Sequence, residues 1–379
     1  MDLDFTPAEE AFRAEARAWL RAHVPPVPLP SLETGEGFAA HRTWEAELAA
    51  DRWSVVNWPA RYGGRDAGLI RWLVFEEEYY AAGAPGRVGQ NGVSLLAPTL
   101  FDHGTQEQRA RVLPSMATGE VVWAQAWSEP EAGSDLASLR SRAVRADGGW
   151  RLSGQKTWSS RAAFADRAFG LFRSDPAPAR PHQGLTYLMF DLRAPGVTVR
   201  PIGRLDGKPA FAELFLDDVF VPDEDVIGEA GQGWRVAMST AGDERGLTLR
   251  SPGRFLAAAD RLHGLWRDRG CPAWARDRVA DALSGARAYQ LFAYAAASRF
   301  LDGESIGPES SLNKVFWSEY DIALHETALD LLGEEGESAD SAWAEAYVFA
   351  LAGPVYAGTN EIQRDIIAER LLGLPKGRR

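Results

Sequence analysis

The sequence predicts an α+β protein in three consecutive parts, and three observations carry that expectation. Residues from about 5 to 115 place apolar side chains at three- and four-residue spacing, the period of a helix with one buried face. From about 119 to 228 the pattern becomes short alternating runs broken by Pro and Gly, which is the texture of strands and turns. From about 231 to 372 the helical spacing returns. Divided on this basis, the chain is a helical domain at 1–117, a β domain at 118–228 and a second helical domain at 229–379. A length of 379 residues accommodates two or three domains or one large multi-layer unit.

In chain order, Thr6-Pro7 followed by Glu9 and Glu10 predicts a helix start, with Pro in the first turn and acids at the positive end of the helix dipole. VPPVPLP at 24–30 reads as a rigid connector and NWPARYGGRDAG at 57–68 as a loop. LIRWLVFEEEYYAAG and GTQEQRARVLPSMATG are further helices with glycine stops. SRAVRADGGWRLSGQK predicts a hairpin, two alternating runs joined by Asp-Gly-Gly. The runs beginning at Leu185 and Ala210 are strands interrupted by Pro and Gly. Three helical runs follow, and Pro252 is expected to end or kink the first of them. Thr359 is a candidate N-cap for a last amphipathic helix carrying Ile362, Ile366, Ile367 and Leu371.

Composition narrows the function classes. The net charge of −12 argues against nucleic acid or an anionic membrane surface as a partner, since both require a basic footprint. No run approaches the ~18 apolar residues of a membrane span. The first residues carry neither a basic n-region nor an apolar h-region, so a cytoplasmic location is expected. One cysteine, Cys271, excludes an internal disulfide and fits a reducing compartment. The six histidines, at 23, 41, 103, 182, 263 and 325, show no HxxxH or HExxH spacing, so no metal is expected. Lysine occurs only at 156, 208, 314 and 376.

Three stretches carry the chemistry. WAQAWSEPEAGSD at 123–135 reads as a strand end and a tight loop whose backbone N–H groups and hydroxyls suit a pyrophosphate or a flavin edge. SGQKTWSS follows at 153–160, and GTNEIQRDIIAERLLGLP at 358–375. Each alone fits a turn or a packed strand; their order and joint occurrence resemble the acyl-CoA dehydrogenase family along the whole chain. The resemblance implies an N-terminal helical domain, a middle β-barrel-like domain and a C-terminal four-helix bundle. FAD would lie between the β domain and the bundle, at a subunit interface. The implied reaction is α,β-dehydrogenation of an acyl-CoA or related acyl thioester, with electrons passed to an electron-transfer flavoprotein. The implied assembly is a homodimer or homotetramer, a mixed oligomer being the alternative.

Residue by residue, the resemblance assigns Ser128 a hydrogen bond to the flavin ring and Ser134, with backbone near Gly133, the FAD pyrophosphate. Trp158 would pack against the isoalloxazine and Ser160 would reach its N5 region. Thr359 and Glu361 would touch adenosine-side or ring-side groups, and Gly333 would lie near a neighbouring subunit's FAD. Two departures stand out. Glu131 replaces a glycine of the family loop, and the family's Arg…Phe-Gly…Gln pattern is not recognisable around 263–277, where a basic residue such as Arg267 or Arg269 would have to serve.

The catalytic base is a separate question. Many family members carry a glutamate immediately before the C-terminal Gly-Thr, but here that residue is Ala357, which cannot accept a proton. A second branch, typified by isovaleryl- and long-chain-acyl-CoA dehydrogenases, places the glutamate in a Glu-Arg pair on an earlier helix. Asp243-Glu244-Arg245 matches that pair, about ten residues after Gly231-Gln232-Gly233-Trp234, with Met238, Ala241 and Leu247 as candidate pocket neighbours. Glu244 is therefore the expected base and Arg245 an expected substrate contact. From pattern alone, the same run is a solvated face with local ion pairing. The rival readings are a flavin oxidase or monooxygenase on the same fold, and a subunit that supports a partner's FAD.

Overall fold

The computed structural model describes residues 4–245, 251–304, 307–338 and 341–376, with side chains in the helix at 233–245 described as far as Gly242. Five helices come first: α1 (Pro7–His23), α2 (Gly35–Ala50), α3 (Gly68–Ala81), α4 (Ala97–His103) and α5 (Gln106–Ala117). Helix α1 begins with a capping box: Glu9 N–H donates to the Thr6 hydroxyl, and Thr6 N–H donates to the Glu9 carboxylate at 2.7 Å. Thr105 and Gln108 repeat the device at the start of α5. A π turn, Gly92–Leu96, leads into α4.

Eight strands follow: β1 (Trp123–Ala126), β2 (Arg142–Ala146), β3 (Gly149–Ser160), β4 (Arg167–Arg173), β5 (Leu185–Asp191), β6 (Val197–Ile202), β7 (Phe211–Pro222) and β8 (Val226–Ile227). They form one sheet in the order β6-β7-β3-β2-β4-β5-β8, with β1 parallel to β4. The expected hairpin joins β2 to β3, and Gly148 supplies its turn with φ +70°. The pairing of β3 with β7 slips twice, the second time between Lys156 and Ser159, and that slip shapes the site below.

The C-terminal helices are α6 (Gly233–Arg245), α7 (Pro252–Asp268), α8 (Arg276–Leu301), α9 (Glu309–Leu332), α10 (Ala342–Ala350) and α11 (Asn360–Ile366), the last followed by a π turn at Ile367–Leu371. Pro252 opens α7 at its first position, where its missing N–H costs nothing, rather than ending a helix from within.

The chain forms two compact units, Met1–Pro26, Ala67–Ala84 and Arg245–Arg379 in one, Val27–Asp66 and Pro85–Glu244 in the other. The first helical stretch is therefore divided between them. In the helical unit, Arg13 and Arg17 of α1 pair with Glu77 and Glu78 of α3, and the Tyr294 hydroxyl of α8 donates to Glu77 at 3.0 Å. Gly253 lets α7 approach α3 closely, since a Cβ there would lie 2.5 Å from the Glu76 carbonyl oxygen. Its core is built on Phe255, Leu262, Tyr289, Trp317, Leu324 and Leu331. In the sheet unit, Leu152, Phe172, Phe190, Leu214 and Val219 from the strands form the core with Phe38 of α2.

Candidate active site

In the sheet unit, the loop after β1 is folded tightly by its own backbone. Glu129 N–H donates to the Ala132 carbonyl at 2.9 Å and Ala132 N–H donates back at 3.0 Å. Thr157 N–H donates to the Ser128 carbonyl at 2.9 Å, which sets Ser128 beside β3 at Thr157 and Trp158. Gly133 and Ser134 are exposed at the loop's tip, and a Cβ at Gly133 would meet nothing within 4 Å. Glu131 turns outward and pairs with Arg140 at 3.1 Å, both side chains largely in water. The acid that departs from the family loop therefore leaves the Gly133-Ser134 backbone accessible.

The loop is anchored by a buried ion pair. Lys156, with no exposed surface, donates to Glu129 at 2.9 Å, to the Leu171 carbonyl at 2.7 Å and to the Trp127 carbonyl at 3.2 Å. Glu129 also accepts from the N–H groups of Arg140 at 2.6 Å and Ser141 at 2.9 Å. Burial pulls Lys156 down to about 8 against the opposing charge of Glu129. Burial pushes Glu129 up, but the Lys156 charge and the hydrogen bonds outweigh it and hold the carboxyl below its usual range. Both groups are thus charged at neutral pH. Lys156 and Glu129 stand inside the motifs that the sequence singles out, but nothing in those strings marks them as a pair; the scarcity of lysine is the available signal.

Trp158 occupies the slip between β3 and β7. Its φ is +59°, a left-handed conformation that a bulky residue adopts at a cost of about 1–3 kcal/mol and that clusters at functional sites. The bulge turns the indole out of the sheet: Trp158 is 60% exposed and touches Phe211 edge-on at 5.9 Å between ring centres. A tryptophan on a strand ordinarily packs in a core, whereas this one presents an open ring. Ser160 ends β3 opposite Phe211 and is half-buried. An open aromatic face with hydroxyls at 128, 134 and 160 and free loop backbone fits the ring and pyrophosphate of a flavin dinucleotide.

Helix α6 starts against β5. Gly231 N–H donates to the Thr186 hydroxyl at 2.9 Å, and a Cβ at Gly233 would lie 2.7 Å from the Thr186 carbonyl carbon. Val236, Ala237, Thr240 and Ala241 are buried, while Met238 is 39% exposed. The α6 backbone runs through Asp243, Glu244 and Arg245. Their side chains, and Leu247 altogether, lie outside the described residues.

In the helical unit, the C-terminal signature forms a strained turn. Ala357 is buried with φ +58° and is followed by Gly358 at φ +80°. The Gln363 amide donates to the carbonyls of Ala357 at 3.0 Å and Gly358 at 3.3 Å, closing the turn. Thr359 caps α11 as expected, its hydroxyl accepting from Ile362 N–H. Glu361 is exposed, and hydrogen bonds at the helix start, first its own N–H and then Thr359, hold its carboxyl below the usual range. Buried Lys314 donates to Asn360 at 2.8 Å and fastens the turn to α9, a contact not foreseen from the sequence. Gly333 caps α9 with φ +58° and is exposed.

Comparison with known proteins gives the family. Residues 6–120 match the family described as Acyl-CoA dehydrogenase, N-terminal domain; residues 124–219 match its middle domain and 231–372 its C-terminal domain. The acyl-CoA dehydrogenase IpdE1 of Mycolicibacterium smegmatis is 37% identical, covering 97% of this chain and 98% of that one. A solved structure titled "Tcur3481-Tcur3483 steroid ACAD" shares 29% identity at a TM-score of 0.86, covering 100% of both chains. The ChsE4-ChsE5 complex from Mycobacterium tuberculosis shares 27% identity at a TM-score of 0.86, again over 100% of both chains. With all three domain families matched in order over nearly its full length, the chain belongs to the acyl-CoA dehydrogenase family of FAD-binding oxidoreductases.

Proposed function

We propose that the protein catalyses α,β-dehydrogenation of an acyl-CoA thioester with Glu244 as the base that takes the α-proton. The observation that carries the assignment is Ala357. Its methyl group is buried in a closed turn at the position where many relatives carry the base, so the proton acceptor comes from elsewhere in the chain. Glu244, in the Asp-Glu-Arg run near the end of α6, is the carboxylate this reading selects, with Arg245 beside it for the substrate.

Bound FAD would supply the hydride acceptor, its N5. On this reading Trp158 covers one ring face, Ser128 and Ser160 hydrogen-bond the ring edge, and Ser134 with the Gly133 backbone takes the pyrophosphate. Thr359, Glu361 and Gly333 serve the FAD from the helical unit, that of this chain or of a neighbouring copy. The domain boundaries at 117/118 and 228/229, a cytoplasmic location and an electron-transfer flavoprotein as acceptor belong to the same proposal. Among the described residues, no helix is long and apolar enough to cross a membrane. Exposed apolar side chains late in the chain, Phe300 at 53%, Leu301 at 59% and Leu372 at 64%, suit burial in an oligomer. A mixed oligomer is the second reading, favoured by the two-protein titles of both structural relatives.

One relative is titled a "steroid ACAD", and we extend that class to this chain as a polycyclic acyl group. Anaerobic titration of the yellow protein with straight-chain and steroid-derived acyl-CoA thioesters tests the proposal. Bleaching with the steroid-derived members supports it. No bleaching with any thioester by FAD-loaded protein would contradict it, and colourless protein that loads FAD only beside a second chain would favour the mixed oligomer.

A further inference from the structure

A chain of hydrogen bonds crosses the sheet unit from the loop holding Ser128 to helix α6. Trp127 Nε1 donates to the Tyr187 hydroxyl at 3.1 Å, and Tyr187 Oη lies 3.3 Å from Thr240 Oγ1. Thr240 Oγ1 lies 2.6 Å from Thr99 Oγ1, and the Thr99 hydroxyl donates to the Leu95 carbonyl at 2.7 Å. Tyr187, Thr240 and Thr99 are all 0% exposed. An indole N–H only donates and a carbonyl only accepts, so Trp127 heads the chain as a donor and the Leu95 carbonyl ends it as an acceptor. The Val236 carbonyl, 3.1 Å from Thr240 Oγ1, is a competing acceptor within α6 itself.

Core packing does not require these hydroxyls, because apolar groups of the same shape can replace a buried hydrogen-bonded pair at little cost. What the chain supplies is placement. Trp127 is held at both ends, its carbonyl by Lys156 and its indole by Tyr187. It immediately precedes Ser128, the expected flavin contact. Thr240 stands four residues, one helical turn, before Glu244. Leu95 lies in the π turn Gly92–Leu96, a geometry frequent at functional sites. The chain therefore ties the flavin-side loop, the base-bearing helix and the π turn to one another.

We infer that the Trp127–Tyr187–Thr240–Thr99 chain sets the depth of α6 relative to the flavin-side loop, with Thr240 as a positioning residue for the base. The inference rests on the reading of Glu244 above. A base displaced by about 1 Å costs on the order of 10²-fold in rate, so removing a link slows proton abstraction without removing the base.

The test uses FAD-loaded protein carrying Thr240→Val, Thr240→Ser, Tyr187→Phe or Glu244→Gln. Rapid mixing with a bleaching thioester measures flavin reduction, and amide exchange reports on residues 233–242. Thr240→Val should retain FAD and thioester affinity while reduction slows by about 10- to 100-fold, and Tyr187→Phe should slow it in the same sense. Thr240→Ser should restore most of the rate. The double variant Thr240→Val with Tyr187→Phe should cost less than the product of the single losses, because both break one chain. Amide exchange should rise in α6 and in the elements tied to it, the loop at Trp127 and the π turn, and not elsewhere. Should Thr240→Val not fold, Tyr187→Phe gives the same reading. Wild-type reduction in Thr240→Val and Tyr187→Phe, with Glu244→Gln inactive, overturns the positioning role alone. Wild-type reduction in Glu244→Gln overturns the base assignment, and this inference with it.

Discussion

Lys156 is the residue whose removal separates structure from chemistry most cleanly. Substituting Lys156→Met leaves the Glu129 carboxylate buried without its counter-charge, which typically costs about 3–5 kcal/mol. Urea unfolding should show that loss, and FAD affinity should fall as the loop is released. Adding Glu129→Gln should return part of the stability, since an amide needs no counter-charge; a loss too small to measure in Lys156→Met would contradict the anchor. Trp158 makes the opposite prediction. Being mostly exposed and left-handed, it should be replaceable by Gly, which tolerates positive φ, with a loss of less than about 1 kcal/mol. FAD affinity should nevertheless fall by about 1–3 kcal/mol, the scale of stacking on an aromatic face. Equal losses in folding and in FAD binding would return Trp158 to an ordinary packing role. At this scale the sequence motifs named Ser128, Ser134 and Trp158 directly, because each stands in a distinctive string. The Glu129–Lys156 pair was hidden within those strings because its partners, 27 residues apart, meet only once β3 lies beside the loop.

Between elements, helices α7 and α9 share a buried ion pair with a pH signature. Asp321 of α9 accepts from Arg254 of α7 at 2.8 Å and lies 3.3 Å from His325 Nδ1. Burial pushes the Asp321 carboxyl up, but the Arg254 charge and the His325 contact outweigh it and bring the group from its usual 3.8 down to about 2. A carboxyl lowered on folding contributes stability that is fully present above its unfolded value and lost as pH falls through the folded one. Between pH 5 and pH 2 the wild type should therefore lose about 2 kcal/mol through this group, which the less stable Asp321→Asn cannot lose. Unfolding at stepped pH checks this, and parallel slopes for the two proteins would contradict it. Capped helices and the Asp-Gly-Gly hairpin were legible because their signals are local. The bulge at Trp158 and the π turns were not, because a bulge depends on register with β7 and a π turn on the packing around it. Pro252 was legible as a break, but its side of the break was not.

For the whole molecule, the order helical, β, helical followed from periodicity alone, and the family followed from three strings in order. The grouping of α1 and α3 with the C-terminal helices did not, because it rests on contacts such as Gly253 against Glu76 that join distant parts of the chain. A family member with a methyl group at position 357 should take its base from α6. Rapid mixing of FAD-loaded Glu244→Gln with a thioester that bleaches the wild type tests it most directly. The amide preserves shape and cannot accept the α-proton, so flavin reduction should slow by about 10²–10⁴-fold while thioester affinity is retained. Reduction at the wild-type rate would contradict the claim and leave Ala357 as the mark of a different chemistry.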